Sequence, residues 1–99
     1  MAWIETVAGT LVQDVTHIAV VHQDRQSDPW EVTVSASSAP ASFATGLESR
    51  TVARALQRRL AAAITTADTA PVPMLITFED ATGELVLEPL AAPVGTPAA

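Results

Sequence analysis

The sequence predicts an α+β domain, in which a small antiparallel sheet of about four to six strands carries one amphipathic helix on one face. Three observations support this class. Short segments rich in β-branched residues are separated by turn-forming residues. A single segment of strong helix formers lies after most of them. The chain then ends in a second pair of strand-like segments around a glycine-containing turn.

The chain has 99 residues, a length that suits one domain. We expect that domain to span residues 1–89, with a proline-containing tether at 65–73 leading to a C-terminal hairpin at 74–89. Residues 90–99 are mostly small residues and prolines, which predicts a disordered tail. Hydrophobic residues make up 48% of the chain and charged residues 16%, so a packed core is expected in the rest.

The N-terminal half predicts strands. Residues 2–7 alternate weakly, and the Ala8-Gly9 turn lets 10–12 pair back. Residues 15–22 are rich in β-branched residues and predict the next strand, which a polar loop joins to 30–36. That last segment alternates regularly, as a half-buried antiparallel strand does. Its predicted inward face carries Trp30, Val32, Val34 and Ala36.

A short strand at 42–45, anchored by Phe43, and then a helix at 48–64 follow. Ser49 is the expected N-cap, and Thr45 with Glu48 offers a competing capping box one turn earlier. Prolines after residue 70 prevent the helix from continuing. The spacing of its apolar residues predicts one buried stripe, consisting of Val52, Leu56, Leu60, Ala63 and Ile64.

The second hairpin joins 74–80 to 84–89, and Gly83 suits a left-handed position in its turn. The sequence leaves open whether this hairpin packs on its own chain or on a neighbour's sheet edge. The acids around the turn are interpreted as solvated turn residues, because the spacing of a calcium-binding loop is missing. They are Glu79, Asp80, Glu84 and Glu88.

Both histidines lie in the 15–22 strand, as His17 and His22, and Asp24 follows them. An odd separation places two strand residues on opposite faces, so a regular strand cannot direct both imidazoles at one metal. The chain has no cysteine and no lysine, and it has no nucleophile-elbow or phosphate-loop motif. We therefore expect no catalytic residues, no metal and no cofactor. A small metal-binding enzyme using His17, His22 and Asp24 is the less favoured alternative.

The net charge is −6, which opposes binding to nucleic acid. Four of the five basic residues nevertheless lie close together on the predicted helix, as Arg50, Arg54, Arg58 and Arg59. The first three share the side opposite the apolar stripe, and Arg59 lies at its border. Solvent and acids of the same chain are the simplest compensation for these charges. An acidic partner surface, such as a second copy of this chain, is the more specific hypothesis, and it makes these arginines candidate protein-interaction residues.

These patterns predict a protein that binds rather than catalyses. The leading hypothesis is an oligomerising structural or adaptor protein, and a phage virion component of the decoration or connector type fits it. Lysine, asparagine and tyrosine, whose codons are rich in A and T, are absent, which indicates a GC-rich bacterium or its phage. An acidic inhibitor or regulator of a basic partner is the alternative. We expect a cytoplasmic or virion location, since no signal peptide or transmembrane segment is apparent.

Overall fold

The computed structural model describes residues 1–22, 29–36 and 39–90. The α+β class is confirmed. Of the tail predicted at 90–99, Leu90 is described, and its N–H donates to the Pro73 carbonyl oxygen at 3.0 Å. Residues 91–99 and Asp24 lie outside the described residues. The elements in chain order are β1 (Ala2–Glu5), β2 (Leu11–Gln13), β3 (His17–His22), β4 (Trp30–Ser35), β5 (Ala41–Leu47), α1 (Arg50–Asp68), β6 (Met74–Glu79) and β7 (Glu84–Pro89).

The described strands form two sheets rather than one. Sheet A has the order β2-β1-β6-β7, and sheet B has the order β3-β4-β5. Neighbouring strands are antiparallel except for β1 and β6, which are parallel, with Trp3 opposite Leu75 and Ile4 opposite Ile76. The C-terminal hairpin thus pairs with the N-terminal strand of its own chain.

Sheet B combines a regular pair of strands with an irregular one. The β3–β4 ladder runs without interruption from the pair His17–Ser35 to the pair His22–Trp30. The β4–β5 ladder has two register shifts, and both Phe43 and Ala44 are buried beside them. Such shifts allow two successive residues to face the core, which a regular strand does not.

The helix packs with one side against strands of both sheets. Phe43 of sheet B and Phe78 of sheet A meet with ring centroids 6.1 Å apart. Alanines at the contact let the helix backbone approach closely, so a chain with few large side chains still closes a core. The buried apolar residues are Ile4, Val32, Val34, Phe43, Ala44, Leu47, Ala53, Leu56, Leu60, Ala63, Ala67 and Ile76.

The start of the helix is as predicted at Ser49. Its backbone is extended, with φ −152°, and its hydroxyl accepts a hydrogen bond of 3.2 Å from the Val52 N–H. The competing start at Thr45 is wrong, because Thr45 belongs to β5. The helix runs to Asp68, so the predicted tether loses its first four residues to the helix, and buried Ala67 anchors that last turn.

One member of the predicted apolar stripe is misplaced. Val52 is 38% exposed, whereas Ala53 is fully buried. Ala53 lies three and seven residues before Leu56 and Leu60, which puts all three on one side of the helix. The buried stripe is therefore rotated away from Val52. No helix in the described part of the chain is long and apolar enough to cross a membrane.

Candidate interaction surfaces

The two histidines do not converge. The unbroken β3–β4 register puts them on opposite faces of sheet B, as their odd spacing predicts. His22 stacks on Trp30 with ring centroids 4.2 Å apart, and His17 Nδ1 lies 2.9 Å from the Thr16 hydroxyl. Within residues 1–22, 29–36 and 39–90, no group of three histidine, aspartate or glutamate residues is placed to hold a metal ion.

The cleft beside the β1–β2 turn is not equipped for acid–base chemistry. It has a volume of about 390 Å³, with Val7, Val12, Val34 and Ala41 among its walls. None of its lining residues carries an ionisable side chain. A cleft of this kind lacks the titratable groups on which general acid or base catalysis depends.

Three of the predicted interaction residues are exposed along the helix. Arg50, Arg54 and Arg58 have no hydrogen bond or ion pair with any described residue, and all three are exposed. Arg54 and Arg58, together with the small residues Thr51 and Ala55, line an open depression on the helix surface. We call these five residues the arginine face.

Arg59 behaves differently from the other three arginines. Its guanidinium donates to Glu84 Oε1 at 3.3 Å and to the Gly83 carbonyl oxygen at 3.2 Å. Both side chains of this ion pair are about half exposed, so its stabilising effect is small. Arg59 is engaged within its own chain, where it holds the β6–β7 turn against the helix.

The outer face of sheet A carries an apolar surface. Side chains alternate along a strand, so Trp3 and Leu75 point away from the core that Ile4 and Ile76 enter. Trp3 and Leu75 are themselves half-buried, and the register of the outer strands adds Leu11, 44% exposed, and Val86, 38% exposed, to this face. We call Trp3, Leu11, Leu75 and Val86 the apolar sheet face.

Acids lie within and beside the apolar sheet face. Glu5 lies opposite Leu11, and Glu88 lies opposite Leu75, so both share that face of the sheet. None of the residues that the described strands of sheet A place on this side is basic. Glu5 lies on the central strand β1, in the row that joins Leu11 to Val86, and Glu79 and Glu84 pair on the same side at the end of the hairpin. The surface therefore combines four apolar residues with acids within and beside them.

Sequence reasoning missed the apolar sheet face, although a signal was present. A strand with one wet face alternates apolar and polar residues, but Trp3-Ile4 and Met74-Leu75-Ile76 are unbroken apolar runs. Such runs are typical of strands covered on both faces, as parallel strands generally are. The β1–β6 pair is parallel, yet the described residues cover only one of its faces.

The four sheet edges differ in how they are protected against further pairing. Strand β2 has only three residues, β5 is irregular, and β7 contains Glu84, Glu88 and Pro89. Strand β3 has six residues without charge, proline or register shift, and no described strand pairs with its outer side. The Gln57 side chain of the helix donates to the Ile18 carbonyl oxygen at 2.8 Å, so the helix caps one backbone group of β3, and the rest of its edge is suited to accept another strand.

The chain has no match among models of known protein families, curated proteins or solved structures. Function therefore has to be argued from the surfaces themselves, because a fold alone does not specify it. The surfaces that distinguish this molecule are the arginine face, the apolar sheet face and the β3 edge.

Proposed function

We propose that the chain is a non-enzymatic, homo-oligomerising structural or adaptor protein that acts through protein–protein contacts. The observation that carries this proposal is the apolar sheet face. It places half-buried Trp3 and Leu75 on the outside of a parallel strand pair, and exposed Leu11 and Val86 on the strands beside that pair. Contiguous apolar patches rimmed by polar residues mark interaction sites on soluble proteins.

The arginine face and the β3 edge support the same proposal. Arginines at helical spacing that lack a partner among the described residues repel one another mildly, and an acidic surface relieves that repulsion. An uncharged regular edge strand is a site where another chain can extend the sheet. A phage virion subunit of the decoration or connector type is the specific form that we propose, and the codon bias inferred from composition favours it.

A second candidate is an acidic inhibitor or regulator that caps a basic partner. The acids on and beside the outer face of sheet A favour it, namely Glu5, Glu79, Asp80 and Glu88. In this alternative the free protein is a monomer, and the acidic rim meets a cationic partner. The two candidates therefore differ in what the purified chain does by itself.

Sedimentation velocity distinguishes them. Over about 1 to 100 micromolar, a range that detects weak association, the proposal expects the mean mass to rise with concentration. Replacing Leu75 and Val86 by glutamine should weaken this association, because it removes apolar area from the contact. Val72→Gln is the control, since Val72, at 46%, is at least as exposed as Val86, at 38%, but lies outside the apolar sheet face. A strict monomer throughout the range would contradict the proposal and favour the regulator.

A further inference from the structure

We propose that copies of this chain assemble head to tail, with the arginine face of one copy docked on the apolar sheet face of the next. In this contact Trp3 of one copy seats between Arg54 and Arg58 of its neighbour. The inference rests on the proposed function, and it adds the two surfaces that meet, their orientation and the symmetry of the assembly.

Charge complementarity identifies the occupant of each surface. Arg50, Arg54 and Arg58 project from the helix without a described partner, while Glu5 and Glu88 lie within and beside the sheet face without a described base beside them. Neither surface can satisfy the other within one molecule. A second copy supplies both the apolar area and the opposite charges that each surface lacks.

The spacing of the charges on the two surfaces also agrees. Arg50 and Arg58 are eight residues apart, or about 12 Å along the helix axis at 1.5 Å per residue. Trp3, Leu75 and Glu88 lie in one row across β1, β6 and β7, and Glu5 lies two residues beyond Trp3 along β1. Glu5 and Glu88 are therefore separated by two strand spacings across the sheet and by two residues along the strand. That separation is also about 12 Å, from strand spacings near 4.8 Å and a rise near 3.3 Å.

The helix surface provides a seat for a large side chain. Thr51 and Ala55 are small, so they leave an open depression between the side chains of Arg54 and Arg58. Trp3 is the largest side chain of the apolar sheet face. An indole between two guanidinium groups gains cation–π attraction in addition to apolar burial. Tryptophan and arginine are also the residues that most often dominate interface energetics.

The fold determines the symmetry of this contact. The helix packs on the core side of sheet A, whereas Trp3 and Leu75 lie on the opposite side. The arginine face and the apolar sheet face therefore point away from each other. Two such surfaces form a heterologous contact, which builds rings if the rotation closes and filaments if it does not.

The size of the contact predicts weak, salt-sensitive association. A helix of 19 residues is about 28 Å long and 10 Å wide. It therefore covers about 300 Å² of the facing sheet, so the two surfaces together bury less than the roughly 1,200 Å² at the lower end of stable interfaces. Single contacts should have micromolar affinity, and added salt should weaken them because charged groups align the two copies.

A charge-swap experiment tests the head-to-tail contact. The helix-reversed variant carries Arg54→Glu and Arg58→Glu, and the sheet-reversed variant carries Glu5→Arg and Glu88→Arg. In each variant alone, the substituted side chains meet charges of their own sign on the facing copy, so we expect dissociation constants at least about tenfold higher than for the natural chain. In an equimolar mixture every contact between unlike copies again joins opposite signs, and assembly should be restored.

Two controls accompany this test. Glu48→Arg makes the same charge change as Glu88→Arg alone, at an exposed position outside both surfaces, and it should assemble normally. Far-ultraviolet circular dichroism establishes that each variant is folded. If a double reversal does not fold, the single changes Arg58→Glu and Glu88→Arg replace it in the same mixture.

The outcomes separate this inference from the proposed function. If the natural chain assembles but either reversed variant assembles equally well, the head-to-tail contact is wrong and oligomerisation stands. The same holds if both variants are folded and dissociated but their mixture stays monomeric. If the natural chain itself is monomeric, the proposed function fails and this inference fails with it.

Discussion

Leu60 offers the most direct test of how this core is held together. Its side chain is fully buried, with 0% exposure, in the cluster that joins the helix to both sheets. Leu60→Ala removes buried methyl groups and leaves a cavity, which costs about 2 to 5 kcal/mol of unfolding free energy. A domain of this size has about 5 to 15 kcal/mol in total, so the loss is a large fraction of its stability.

Val52→Ala is the matched control for Leu60→Ala on the same helix. Val52 is 38% exposed and alanine is the better helix former, so this change should leave stability unaltered or raise it by a few tenths of a kcal/mol. For Leu60→Ala, about 3 kcal/mol corresponds to a fall in Tm of about 12 to 24 °C.

Urea unfolding monitored by circular dichroism measures the change in unfolding free energy for both variants. The protein concentration is kept below the onset of association. A loss of less than about 1 kcal/mol for Leu60→Ala would contradict the burial of Leu60 in a packed core. If Val52→Ala were as costly as Leu60→Ala, the buried stripe of the helix would be the one predicted from the sequence and not the one in the structure.

Three further predictions concern single residues. Ser49→Ala should lower the unfolding free energy by about 1 kcal/mol, and Ser49→Asp should restore it, because an aspartate also caps the Val52 N–H; equal stability of all three chains in urea would argue against the cap. Gly83 has φ 72°, so Gly83→Ala should cost about 1 kcal/mol by thermal unfolding, and no loss would mean that the turn relaxes to negative φ. Ala19→Lys adds a charge to the exposed β3 edge and should reduce self-association of the chain without lowering its Tm, as long as edge pairing contributes to assembly; unchanged sedimentation would exclude that edge as a contact.

Much of the local structure could be predicted from the sequence. Alternation at 30–36 indicated a half-buried strand, and Ser49 indicated the helix start. Gly83 indicated a left-handed turn position, and the structure shows each of these features. These signals are local, because they arise from the period of side chains along one element or from the dihedral preferences of single residues.

The candidate surfaces could be predicted only in part. The arginine spacing was visible, and exposure of Arg50, Arg54 and Arg58 follows from it. The pairing of Arg59 with Glu84 was not visible, since the two residues are 25 positions apart and meet only after the second hairpin packs beside the helix. Arg59 was grouped with the other three arginines because of its position on the helix alone.

By itself, the sequence determined the α+β class, the order of the elements and the charge asymmetry between the helix and the rest of the chain. Only the tertiary structure decided that the strands form two sheets, that β1 and β6 pair in parallel, and that Trp3 and Leu75 face outward together. The reason is that side-chain periodicity specifies which faces of a strand are apolar, but it carries no information about which distant strand becomes its neighbour.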